Sequence, residues 1–181
     1  MTFLHDRTAD ALVLVDLQAR LLPAIMRGKA VVRRARLLVR AAKALGVPVV
    51  LTEQTPGKLG ATVPPLADAT DRVVVKTRFD ASREPALADA LEERTRAVVA
   101  GAEAHVCVLQ TCLGLLARGH AVTVVADAVG SRRAEDKAAA LARLAAAGVT
   151  VATSEMIVFE WLETADDQAF RELLPMIRDT D

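Results

Sequence analysis

The chain has 181 residues, 23 basic against 23 acidic, and a 52% hydrophobic content carried mainly by Ala, Val and Leu. That length suits one domain, residues 1–181, able to bury a sizeable core. Balanced charge, 3% aromatics and no Tyr speak against nucleic-acid binding, which needs a basic footprint or stacking rings. The apolar runs stop far short of the about 20 residues that span a bilayer. The start, MTFLHDRTAD, carries acids where a signal peptide has a basic then apolar stretch, so the chain reads as cytoplasmic, with no membrane partner.

In chain order, Val-rich runs stand at 11–15, 47–51, 72–75, 97–100, 121–126 and 149–152. None alternates cleanly with polar residues, which predicts strands buried on both faces, as in a parallel sheet. Segments of helical periodicity stand at 29–45, 87–93, 107–118, 137–147, 155–162 and 169–177. Leu45-Gly46 followed by Pro48 stops the first helix and starts the second strand. Strands alternating with helices predict an α/β fold, a three-layer αβα sandwich on a mainly parallel six-stranded sheet. Periodicity leaves the strand order open.

In such a sheet, ligands bind beyond the carboxyl ends of the strands. The first strand ends in Asp16, the third in Lys76, and the fourth leads through Gly101 and Glu103 to Cys107. A thiol, a carboxylate and an ammonium at one sheet edge can perform nucleophilic catalysis. At the first turn of a helix, the dipole and a nearby lysine would favour the thiolate. Each residue also has an ordinary reading: a turn-forming Asp, a solvated lysine, a buried cysteine used as a small hydrophobe. Their coincidence favours the catalytic one. His105 has no partner at ligand spacing, so it reads as a neighbour of the site rather than a metal ligand. Cys112 reads as helix core, Trp161 as packing, and Arg132-Arg133 as a surface pair at a helix start. No G-x-G-x-x-G follows the first strand, and neither a P-loop nor a G-x-S-x-G elbow occurs.

The blocks LVLVDLQARLLPAI, LTEQTPGKLGATVPPL, VVVKTRFDA, VVAGAEAHVCVLQTCLGLLARGHAVTVVADAVGSRR and VATSEMIVFEWL together resemble the isochorismatase-like cysteine hydrolases. These are relatives of nicotinamidases and N-carbamoylsarcosine amidohydrolases, and the small isochorismatase-domain branch looks closest. The resemblance implies strand order 3-2-1-4-5-6 and an Asp16–Lys76–Cys107 triad that cleaves a C–N bond of a small molecule through a thioester. It also implies a cis peptide between Ala102 and Glu103, and an oxyanion hole made by the backbone N–H groups of Glu103 and Cys107. Gln54 and Phe79 would line the pocket. Asp80 stands where relatives often carry a small Ser. No cofactor is implied, and the expected partners are a small substrate and further copies of the chain, as a dimer or tetramer. Nicotinamidases bind a metal through an Asp-x-His and a further His. Here TEQTPGKLG holds no histidine, so no metal site is expected. Isochorismatases acting on the vinyl ether lack the cysteine, so Cys107 points away from that substrate as well. The competing reading is a non-catalytic oligomeric binding or scaffold protein that keeps the fold. A redox pair of Cys107 and Cys112 fits the helical spacing least.

Overall fold

The computed structural model describes residues 4–91 and 94–178. Six strands, β1 (Asp10–Val15), β2 (Val49–Gln54), β3 (Val73–Lys76), β4 (Arg96–Ala102), β5 (Ala121–Gly130) and β6 (Thr150–Ala152), form one sheet in the order β3-β2-β1-β4-β5-β6. Every neighbouring pair is parallel. The α/β sandwich and the strand order are therefore as expected. The helices are α1 (Gly28–Leu45), α2 (Pro56–Leu59), α3 (Pro64–Ala67), α4 (Pro85–Leu91), α5 (Leu109–Ala117), α6 (Ala134–Ala146), α7 (Ser154–Leu162) and α8 (Gln168–Arg178). Glu92 and Glu93, the end of the expected helix 87–93, lie outside the described residues. No helix among the described residues is long and apolar enough to cross a membrane.

β1 shows why the sheet needs two helical layers. Its residues are fully buried, and alternate side chains enter different cores. Leu12 and Leu14 pack with α1, α7 and α8, while Ala11, Val13 and Val15 pack with α4, α5 and α6. At the end of α1, Gly46 adopts φ 73° and returns its N–H to the Ala42 carbonyl, the left-handed stop read from Leu45-Gly46.

Gly101 decides how closely β4 can approach β1. Its φ is 146°, and a Cβ there would lie 2.2 Å from the Val15 carbonyl oxygen. Only glycine lets the two strands meet at the point where both chains turn into the site. β5 carries an irregularity: Val99 pairs with Val124, yet Gly101 pairs with Val129. The extra residues bring Asp127 to cap the start of α7 through the Ser154 N–H and hydroxyl.

At the opposite end of the sheet, buried Asp10 accepts the Trp161 indole N–H at 2.7 Å, and its Oδ2 also lies 2.7 Å from His5 Nδ1. His5 Nε2 meets the Thr123 hydroxyl at 3.0 Å. Trp161 is thus both core packing and a hydrogen-bond donor, and the second role is invisible to periodicity.

Candidate active site

Asp16, Lys76 and Cys107 converge at the carboxyl ends of β1, β3 and β4. All three are buried, exposing 0%, 2% and 4%. Asp16 Oδ2 accepts from Lys76 Nζ at 2.7 Å, and Asp16 Oδ1 accepts the Thr52 hydroxyl at 2.6 Å. Lys76 also donates to Gln54 Oε1 at 2.7 Å and to the Arg78 carbonyl at 3.3 Å. An ammonium has three N–H donors, so this buried cation is fully partnered. The Cys107 thiol lies close enough to feel the charges of both Asp16 and Lys76.

The backbone turns sharply into this group. Asp16 has φ 52°, Thr55 φ 40° and Glu103 φ 58°, each a non-glycine residue in the left-handed region directly after a strand. Such conformations cost about 1–3 kcal/mol apiece and persist where the surroundings over-determine them. Here the surroundings include Gln18, which is fully buried. Its amide donates to the Gln54 and Gly60 carbonyls, and its Oε1 accepts the Gln54 N–H. Glu53 Oε1 accepts both the N–H and the hydroxyl of Thr62, tying down the loop that follows β2. Thr111 Oγ1 accepts the Ala81 N–H, joining α5 to the segment after Lys76.

Three expectations change. The Ala102–Glu103 peptide is trans, as are all peptide bonds among the described residues. The chain reverses through the left-handed Glu103 instead, which avoids the about 3–4 kcal/mol of a non-proline cis bond. With that bond trans, the reason for aiming the Glu103 N–H into the site falls away. Second, the helix expected over 107–118 starts with a π-helical turn, Ala104–Val108, before α5. Cys107 therefore sits in a wide turn rather than in the first turn of an α-helix, and such turns recur at functional sites. Third, the thiol is not poised as a thiolate. Burial, then the negative charge of Asp16, push it up to about 12, with Lys76 acting in the opposite direction.

The remaining residues divide. Gln54 touches the Lys76 ammonium and donates to the Thr77 carbonyl at 2.8 Å, so it holds the site together. Phe79 is 51% exposed. Asp80 caps the turn Ala81–Arg83 by accepting the Ser82 N–H at 2.9 Å. His105 Nδ1 lies 3.0 Å from the Ser131 hydroxyl, and its Nε2 lies 3.5 Å from Glu103, whose other oxygen pairs with Arg132 at 3.1 Å. Cys112 is fully buried in the core. A nicotinamidase-type metal does not fit this donor set, because β2 is followed by no histidine and Glu53 is committed to Thr62. Thr52, Gln18, Thr111 and Ser131 were not assigned from the sequence. Thr52 lies in the last half of β2 and Gln18 three residues beyond β1, and a polar residue in those places is the signal that could have found them.

The isochorismatase domain family model matches residues 10–156, about four-fifths of the chain. The chain belongs to the isochorismatase family. Isochorismatase domain-containing protein 2A of Mus musculus is 39% identical over 174 residues, covering 94% of this chain and 84% of its own length. A solved structure described as a MAR1 ribonuclease from Caenorhabditis elegans superposes with TM-score 0.92 at 35% identity, covering 97% of this chain and 93% of that one. An octameric hydrolase of unknown specificity from Escherichia coli matches in fold with TM-score 0.92 at 23% identity, covering 98% and 92%. This isochorismatase-family chain thus has the fold of a hydrolase family whose solved members differ in described activity.

Proposed function

We propose that this isochorismatase-family protein is a cysteine hydrolase that cleaves a C–N bond of a small amide-type compound. The observation that carries the reading is the buried Asp16 carboxylate, held by Lys76 and Thr52, with the Cys107 thiol close enough to feel its charge. Because the thiol rests protonated, attack is coupled to proton transfer: Sγ bonds to the substrate carbonyl carbon as its proton passes to Asp16. The tetrahedral oxyanion is held by the Cys107 N–H, at the turn where the chain leaves β4. Asp16 then protonates the leaving nitrogen, the C–N bond breaks, and a thioester remains on Cys107. Asp16 takes a proton from water, the hydroxide adds to the thioester, and the acid departs with the thiol restored. Lys76 holds Asp16 in position through both halves. Gln54 positions Lys76.

A homo-oligomer, dimer or tetramer, belongs to the same proposal. The edge strand β3 exposes Val73 and Val75, with Phe79 just beyond it, an apolar strip that another copy would cover.

The test is a screen of small amides with intact-mass detection. A true substrate leaves an acyl adduct on Cys107, and Cys107→Ala abolishes both adduct and turnover. Turnover unchanged in Cys107→Ala would sink the mechanism. Absence of any adduct, with saturable binding of the same compounds, would support the non-catalytic binding protein instead. An RNA oligonucleotide belongs in the screen because of the C. elegans relative, and cleavage independent of Cys107 would replace the amide reading. Sedimentation velocity on the wild type and on Val75→Lys tests the oligomer, with the variant shifting to a smaller species.

A further inference from the structure

A second concentration of charge, lined by none of the three central groups, lies where the first turns of α1 and α6 approach the end of β5. There a cavity of about 300 Å³ is lined by Arg27, Arg33, Arg34 and Lys137 against one carboxylate, Asp127. Asp127 is already committed. Its Oδ1 accepts the Ser154 N–H at 2.7 Å, and its Oδ2 accepts the Ser154 hydroxyl at 2.6 Å and lies 3.5 Å from Arg34 Nε. The two acids in the first turn of α6 do not line the cavity: Asp136 lies 3.8 Å from His105, and Glu135 is exposed. Arg27, Arg33 and Lys137 form no side-chain ion pair among the described residues.

The consequences show at Lys137. Burial, aided by the like charge of Arg27 and opposed by Asp127, holds its ammonium below the usual lysine range. Gathering under-neutralised cations in a partly desolvated cavity is unfavourable unless a counter-charge enters. Two helix N-termini add partial positive charge of the same sign. The apolar part of the wall, Met26, Ala30 and Val31, leaves room for a short organic group beside the anion. The volume is at the lower end of the roughly 300–1,000 Å³ range of small-ligand sites.

We propose that this cavity binds a phosphoryl dianion, free or as the monoester of a small organic molecule, held by Lys137, Arg27 and Arg33. Its wall is continuous with the nucleophile turn. The Ser131 carbonyl accepts the Met26 N–H at 3.0 Å, and the Ser131 hydroxyl meets His105, two residues before Cys107. The proposal does not depend on the amide-hydrolase reading.

Isothermal titration of the full chain with inorganic phosphate, and separately with glycerol 3-phosphate, tests it at constant ionic strength against sodium chloride. At least one anion is expected to bind once per chain, and Lys137→Gln and Arg33→Gln are each expected to weaken it tenfold or more. Equal affinities identify the free anion as sufficient, and a tighter ester shows that the apolar wall reads the organic part. Binding of neither anion above the chloride control overturns the proposal, and so does affinity unchanged in both variants. Sedimentation of the same variants closes the remaining route. A change of oligomeric state in place of a change in anion affinity would make the cavity a subunit contact and overturn the proposal.

Discussion

Cys107 sets the chemistry at the residue scale through its environment rather than its identity. A thiol pushed up to about 12 is a weak nucleophile until a base takes its proton, and in the proposed mechanism Asp16 is that base. The same shift has a consequence for stability. An unfolded-chain thiol titrates near about 8.5, so above that pH the unfolded chain loses a proton that the folded chain keeps. The contribution of Cys107 to stability is present below about pH 8.5 and is lost as pH rises toward about 12. Cys112, raised to about 12 by burial, adds in the same direction. The urea midpoint is expected to fall from pH 8 to pH 10.5, less steeply in Cys107→Ala, and iodoacetamide labelling of Cys107 should still be accelerating at pH 10. A labelling plateau near pH 8.5 would contradict the raised thiol.

Asp16 and Lys76 form a second residue-scale unit, fully buried at 2.7 Å. Removing one member leaves an uncompensated buried charge, a loss of about 3–5 kcal/mol. Asp16→Asn and Lys76→Met should each lose about that much in urea unfolding. The double variant should lose less than the sum, because it leaves no charge stranded. Simple additivity would mean that the two groups are not coupled.

Among the elements, the β1–β4 pair places the site. Gly101 lets β4 lie against Val15, and Asp16 follows Val15 directly. Gly101→Ala would drive a Cβ into a backbone oxygen 2.2 Å away at a φ that alanine avoids. The expected result is a loss at the exceptional end for a point substitution, above about 4 kcal/mol, or failure to fold. A midpoint within experimental error of the wild type would show that the strands can part. Sequence periodicity located β1 and β4 to within one or two residues, because both are long Val-rich runs buried on both faces. It did not show the irregularity in β5 or the π turn at Ala104–Val108, since those depend on what the neighbouring elements allow. It also failed to fix the Ala102–Glu103 peptide, where the structure turns the chain at Glu103 with a trans bond.

Across the whole molecule, the two ends of the sheet do different work. One end gathers the candidate active site. The other ties the segment before β1 to β5 and α7 through His5, Asp10, Thr123 and Trp161. Asp10 Oδ1 has no hydrogen-bond partner among the described residues, so the Trp161 bond matters to this carboxylate. Trp161→Phe keeps most of the volume but withdraws that donor. A loss of about 1–3 kcal/mol is expected, with faster amide exchange at both His5 and Trp161. Faster exchange at position 161 alone would mean that the cluster does not link the N-terminal segment to the sheet.

The sequence by itself determined the parallel α/β architecture, because strands buried on both faces must be Val-rich runs separated by amphipathic helices. It also determined which polar residues stand at strand ends, since each interrupts such a run. Only the tertiary structure decided that Asp16 and Lys76 pair and that Cys107 lies beside them, because that depends on strand order and on the Gly101 approach, neither of which leaves a periodic trace. It alone decided the protonation of Cys107, which follows from how much water the fold removes and which charges it leaves behind. And it alone brought Arg27, Arg33 and Lys137 to one cavity, from helices that lie about a hundred residues apart in the chain.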